Sequence, residues 1–132
     1  MSEKNLCPCG SEKPYEACCE PYHLAKNAPT AEALMRSRYS AFVFKLSDYL
    51  VETTHPSERH KHLKEEIEAT CRQLVWTHLS VIETWQGREN DKVGKVSFSA
   101  TFMQEGSQGV HTEHSRFKRF GKAWMYVDGE VS

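Results

Sequence analysis

Four cysteines fall within the first nineteen residues, as Cys7-Pro8-Cys9 and then Cys18-Cys19. Two thiolates one residue apart, followed by an adjacent pair, can wrap a single tetrahedral ion of the zinc type. Gly10 follows the first pair, where the chain must turn sharply enough to aim backbone N–H groups at the sulfurs. Tyr15 and Tyr22 are placed to shield such a knuckle from water. Disulfides are the competing reading, but Cys7 with Cys9, or Cys18 with Cys19, would be strained. The fifth cysteine, Cys71, stands alone in a helical pattern and makes the count odd. The spacing therefore favours one zinc held by Cys7, Cys9, Cys18 and Cys19. Four protein ligands leave no position for water or substrate, so the ion is expected to be structural. His23 is the replacement ligand if Cys19 cannot reach. Residues 1–28 contain few apolar side chains, and metal binding would supply their folding free energy, on the order of 10 kcal/mol.

The run CPCGSEKPYEACC resembles the SEC-C motif, the zinc knuckle that also closes the C-terminal tail of the SecA translocation motor. Its continuation is similar to the uncharacterised YchJ family in PTAEALMRSRYSAFV, in THPS around His55-Pro56, and in HSRF followed by GKAWMYVDG. That likeness runs from Cys7 to Gly129. It implies a zinc knuckle attached to an α+β cone of the cystatin-like, nuclear-transport-factor type, and it implies no particular reaction. The chain departs from the motor's tail in its acidity. Residues 1–28 hold three lysines and four glutamates, among them Glu12, Glu16 and Glu20, and a tetrathiolate centre adds negative charge. Such a surface repels phosphates, which argues against ribosome binding through the knuckle.

At 132 residues and 15.2 kDa the chain has room for one domain and a small appendage. A mean hydropathy of −0.65 suits a soluble protein, and no stretch reaches the ~18 apolar residues of a membrane helix. Met1 to Asn5 lack the apolar run of a signal peptide, and metal-bound thiols suit a reducing compartment, so a cytoplasmic location is expected. The net charge of −1 gives no general attraction for nucleic acid. Arg116, Lys118, Arg119 and Lys122 form a basic cluster, which reads as a solvated sheet face because no aromatic alternates with them on it.

Pro29 marks a break, and Thr30 is a plausible N-cap with Glu32 in the first helical turn. Met35, Tyr39, Phe42, Leu46 and Leu50 then recur at helical spacing, with a break near Ser47-Asp48. His55-Pro56 is a second breaker, and Leu63, Ile67, Cys71 and Leu74 mark a further helix. From Val75 the period becomes two, and Trp76, His78, Ser80 and Ile82 share one face of the first strand. Val96, Phe98, Ala100 and Phe102 share a face of the second. Gly106 to Gly109 reads as a turn, Val110 to Phe120 as a third strand, and Trp124 to Val127 as a fourth. The fold class is α+β, with a zinc knuckle over 1–28 and a cone over 29–132, its helices packed in a curved antiparallel sheet. Tyr39, Phe42, Phe98, Phe102, Phe117 and Trp124 are expected to fill the cone, leaving the knuckle separately stabilised by metal.

Within the cone, His111, Glu113, Ser115 and Phe117 lie on one face of the third strand, and Phe117 turns that face inward. Arg38, beside the helical stripe, is placed to pair with Glu113. Such a pair serves a structural role more often than a catalytic one. His78 reads as a satisfied strand histidine, and Cys71 as a buried thiol. The chain has no Ser-His-Asp order, phosphate loop or dinucleotide fingerprint. The expected function is a zinc-binding adaptor for a protein partner. The rival is a small-molecule-binding protein, or a hydrolase- or isomerase-like enzyme, using Glu113 with His111 or Arg38. Whether the chain is an enzyme stays open on sequence. A filled cone favours the adaptor, and a deep polar pocket favours the rival.

Overall fold

The computed structural model describes residues 6–131, and Met1 to Asn5, whose lack of an apolar run sets the expectation of no signal peptide, lie outside the described residues. Helices precede a four-stranded antiparallel sheet in the order β1 (Val75–Gln86), β2 (Val93–Gln104), β3 (Ser107–Phe120), β4 (Ala123–Val131), each strand beside its sequence neighbour. The helices are α1 (Glu20–Ala25), α2 (Ala31–Phe44), α3 (Ser47–Glu52) and α4 (Leu63–Gln73). Short 3-10 turns at Tyr15–Ala17 and Pro56–Glu58 join them. Among the described residues no helix is long and apolar enough to cross a membrane.

Local chemistry accounts for the element ends. Thr30 caps α2, its hydroxyl accepting from the Ala33 N–H at 3.0 Å, and Lys45 closes the helix in the left-handed conformation. Glu105 and Gly106 both take positive φ, making the two-residue hairpin turn whose twist matches the flanking strands. That turn is tighter than a Gly106-to-Gly109 loop, so β3 begins at Ser107 and pairs with β2 from the first residue. The six-residue α1 carries no clear apolar period, which is why the sequence pattern passes over it.

The first strand also corrects the alternation. A bulge between Trp76 and His78 leaves Thr77 without a partner in the ladder. One extra residue flips the face, so Trp76 turns inward with Leu79 and Val81, away from His78, Ser80 and Ile82. His78 is exposed, 3.2 Å from the Ser80 hydroxyl.

The buried side chains form two clusters that meet at α2. Ala31, Leu34, Met35 and Tyr39 pack on Leu79, Val96, Ala100, Phe117 and Trp124 of the sheet. Ala41 joins Tyr49, Leu50, Ile67 and Cys71 from α3 and α4. Cys7, Cys9, Cys19 and Ala28 belong to the first cluster, and Tyr15 and Tyr22 pack against it. The expectation of a separately stabilised knuckle is therefore corrected. Its sulfurs are themselves buried apolar surface and close the core over α2. Polar ties cross the same boundary: Arg36 Nη1 donates to the Cys9 carbonyl at 2.7 Å, and His23 Nε2 meets the Ser37 carbonyl at 2.8 Å.

Deleting residues 1–28 should accordingly weaken the cone by about 4 kcal/mol or more, because several core side chains on α2 lose their cover. Urea unfolding followed by near-ultraviolet circular dichroism measures this. An unchanged transition in the truncated chain would mean that the two parts are independent after all.

Candidate functional site

The knuckle is assembled by local backbone geometry. The Cys7 N–H donates to the Lys13 carbonyl at 2.8 Å, closing a small loop that carries Cys9 at its tip. Gly10 sits in this loop at φ 85, a conformation costly for any side chain. The 3-10 turn then delivers Cys18 and Cys19. The four Sγ atoms lie within 4.8 Å of one another, with Cys9 to Cys18 at 3.6 Å and Cys18 to Cys19 at 3.9 Å. Four sulfurs bound tetrahedrally to one zinc ion stand about 3.8 Å apart, so this donor set fits a single metal ion. All four thiols are free of disulfides.

The charge state of the cluster argues the same way. Thiol contacts from Cys19 and then Cys7 hold Cys9 well below the ordinary thiol range. The Cys7 and Cys9 contacts push Cys19 up, and burial raises Cys18. Four clustered, largely buried thiols cannot all ionise unless a cation balances them. Outer contacts orient the ligands: Ser11 Oγ lies 3.1 Å from Cys18 Sγ, and Ser40 Oγ 3.3 Å from Cys7 Sγ.

His23 is not part of the set. Its Nδ1 lies 2.6 Å from the Tyr15 hydroxyl and its Nε2 2.8 Å from the Ser37 carbonyl, so both ring nitrogens are engaged. Cys19, buried among the sulfurs, takes the fourth place.

The second site lies inside the cone. A cavity of about 690 Å³ opens between α2, α4 and the inner sheet face, with Phe42 and Phe98 on its wall. The expectation that the aromatic side chains fill the cone is corrected here. Tyr39, Phe117 and Trp124 are buried, while Phe42, Phe98 and Phe102 remain half-exposed. A second concavity of about 630 Å³ lies on the outer sheet face around Trp85, Lys95 and Arg116. There Arg116 Nε donates to Asp128 Oδ1 at 2.6 Å; away from that concavity, Arg119 lies 4.3 Å from the ring centre of the buried Trp124.

On the cavity wall, β3 brings His111, Glu113 and Ser115 together. Glu113 Oε1 accepts from His111 Nε2 at 2.8 Å; Oε2 accepts from Ser115 Oγ at 2.7 Å and from the Tyr126 hydroxyl at 2.9 Å. Burial works to raise the Glu113 carboxyl, but these hydrogen bonds outweigh it and hold the group below the ordinary carboxylate range. Gly129 makes the approach possible, since a Cβ there would stand 2.6 Å from the Glu113 carboxyl carbon.

Arg38 lines the same cavity, but it forms no ion pair with Glu113. Tyr126 stands between them, its ring centre 4.5 Å from the guanidinium carbon. The parallel bridge of Thr54 with Tyr126, backed by Tyr126 N–H to the Thr53 carbonyl at 2.8 Å, fixes this geometry. Arg38 Nη1 donates to the Leu50 carbonyl at 2.9 Å and to Thr53 Oγ1 at 2.7 Å. Burial pulls the guanidinium down to about 10, which leaves it cationic at neutral pH. Tyr126 and Trp76 were not singled out by sequence. Tyr126 alternates with Trp124 on an inward face, a usable signal, whereas Trp76 reaches the cavity only through the bulge.

Comparison with known proteins follows this geometry. The family model described as "YchJ, middle NTF2-like domain" matches residues 30–129, and the SEC-C motif model matches residues 4–21. The chain is 45% identical over 126 residues to UPF0225 protein YchJ of Shigella dysenteriae serotype 1 (strain Sd197), covering 94% of this chain and 82% of that one. The solution structure of a SEC-C motif containing protein from Rhodopseudomonas palustris is similar with TM-score 0.82 at 34% identity, over 96% of this chain and 98% of that one. A crystal structure of a SEC-C motif containing protein from Psychrobacter arcticus is similar with TM-score 0.78 at 29% identity, over 96% and 82%.

The Glu113 network makes a signed prediction about acid. Because the folded carboxyl titrates below its unfolded value of about 4.3, its stabilisation is present above that pH and is lost as pH falls through the folded value. Glu113→Gln should reduce the loss of stability between neutral pH and pH ~3, and Gly129→Ala, which displaces the carboxylate, should do the same. Denaturant titrations across that range test it, and an acid limb identical in all three proteins would exclude Glu113 as a source. Cys71, raised by burial within the α2–α4 cluster, should label slowly with a thiol reagent in the native, metal-loaded protein. Fast labelling would show that the helical cluster opens readily.

Proposed function

The chain belongs to the YchJ-like family with a SEC-C motif, and from that premise we propose that it is a small-molecule-binding protein whose zinc-loaded knuckle stiffens one wall of a ligand cone. The observation that carries this reading is the cavity of about 690 Å³ inside the cone, apolar over much of its wall and set with an organised polar cluster. Natural small-molecule sites have this size and this mixture. Arg38, His111 and Glu113, the sequence candidates, all border it together with Tyr126.

The knuckle's part is mechanical. It buries Cys7, Cys9 and Cys19 against α2, the same helix that carries Arg38 into the cavity. Four thiolates at tetrahedral separations suit zinc, and a closed set gives the ion no substrate position.

His111 adds a chemical option. An ionised carboxylate only accepts, so His111 Nε2–H is the donor to Glu113. Nδ1 is then the nitrogen able to take a proton from a bound molecule, with Glu113 fixing the ring. An isomerase- or hydrolase-like activity of this site would use His111 as base and Arg38 to balance developing negative charge. A filled cone would favour the expected adaptor role, and the cavity instead favours the small-molecule reading.

Two measurements test the proposal. Metal analysis of reduced protein should give about one zinc per chain, falling well below that for Cys9→Ser. A value near zero in a folded protein would remove the metal from the reading. A fragment screen of the zinc-loaded chain, read by amide shift mapping, should place its hits on Arg38, Phe98, His111 and Tyr126. Hits confined to the outer sheet face, or none above control, would sink the pocket.

A further inference from the structure

The unsatisfied groups on the cavity wall are hydrogen-bond donors, and their placement bears on the ligand's chemistry. Glu113, the one ionised acceptor of the inner cluster, is saturated by His111, Ser115 and Tyr126 and has little left to offer a ligand. Arg38 is the reverse case. Its Nη1 serves Leu50 and Thr53, with Thr54 Oγ1 at 3.4 Å, whereas Nε and Nη2 meet no acceptor among the described residues. These two nitrogens form one edge of the planar guanidinium, the edge that matches a carboxylate with two parallel hydrogen bonds.

Trp76 supplies a second, independent observation. Its indole Nε1 is buried with no hydrogen-bond partner, the one such side-chain atom among the described residues. Leaving a buried donor unpaired is costly to stability, so an orphan behind the cavity wall asks for an explanation. The bulge at Thr77 is what turns Trp76 inward, between Phe102 at 5.5 Å and His111 at 6.2 Å between ring centres. A strand without the bulge would carry this indole to solvent, where its N–H would be hydrated.

Resting on the small-molecule reading above, we propose that the ligand is a small organic carboxylate with an apolar body. Its carboxylate lies on the Nε–Nη2 edge of Arg38. Its body lies against Met35, Phe42 and Phe98, beside the Trp76 indole. A cationic ligand meets the Arg38 charge, and of the other carboxylates bordering the cavity Glu113 is saturated, Asp128 is engaged by Arg116 and Glu58 is exposed to solvent. An uncharged ligand leaves the guanidinium without the counter-charge that a buried cation requires.

The test uses the full zinc-loaded chain and three acids of different body: octanoate, 4-phenylbutyrate and indole-3-acetate, each beside its neutral amide. The ¹⁵N–¹H signal of the Trp76 indole, assigned by its loss in Trp76→Phe, reports occupancy of this cavity. Acids should shift that signal and bind about tenfold or more tightly than their amides, as a charge-assisted pair predicts. Arg38→Met should erase the difference, and Arg38→Lys, which keeps the charge without the fork, should restore part of it. Acids and amides that shift Trp76 equally would overturn the carboxylate assignment while leaving the pocket reading intact. An acid preference surviving in Arg38→Met would equally overturn it. If no compound moves cavity signals, the pocket reading itself fails and takes this one with it. Should Arg38→Met not fold, the acid-to-amide ratio in the unmodified chain and in Arg38→Lys decides the matter.

Discussion

Helix α2 is packed on several sides at once, and that single constraint organises the molecule. A surface helix needs one apolar stripe, but α2 packs on the sheet, on α3 and α4, and on the cysteine knuckle together. Some of its polar side chains are therefore enclosed along with its apolar ones. Ser37 is fully buried and donates to the Leu34 carbonyl at 2.8 Å, with the Tyr49 hydroxyl 2.7 Å away. Ser40, also fully buried, meets Cys7 Sγ. Each enclosed group draws in a partner from a different layer, so the polar requirements of one helix determine where the knuckle, α3 and β4 can sit.

The same constraint explains the metal's structural reach. The knuckle has few apolar residues in the ordinary sense, yet its sulfurs shed water and pack as core atoms. Ionising them without a cation would place negative charge inside that core. A bound dication would neutralise the cluster and let thiolates serve at once as ligands and as packing surface. Metal binding at these four sulfurs would therefore bear on the hydrophobic core as well as on the knuckle.

Much of this was legible in the sequence, and the failures share a cause. Ligand spacing, the Thr30 cap, the helix break near Ser47 and the change of period at Val75 are local features, and the structure carries all of them. The face shared by His111, Glu113 and Ser115 was legible too, because β3 pairs with β2 without interruption. What the pattern missed lies where a non-local contact outweighs the period. The Thr77 bulge reverses Trp76, the two-residue turn at Glu105-Gly106 lengthens β3, and the knuckle docks on Ser40 and the Ser37 carbonyl, which the apolar stripe of α2 does not mark. The cavity was hardest of all, since the apolar residues that line a pocket have the same spacing as those that fill a core.

The separation of Arg38 from Glu113 shows why that distinction matters. A direct ion pair would have satisfied both charges and left the wall with little to offer a ligand. Tyr126 prevents it, presenting its ring to the guanidinium and its hydroxyl to the carboxylate. Three donors then complete Glu113, holding it ionised, while one edge of Arg38 stays without a protein acceptor. Holding a cation largely out of water, with one edge left to the cavity, is costly to stability, and a sequence selected for stability alone would replace it with an apolar residue. The parallel bridge from Thr54 to Tyr126 keeps the aromatic wedge in place, so the cost is built into the fold and does not arise from a loose side chain. Local rules broken this consistently around one cavity are what the proposed binding site would require.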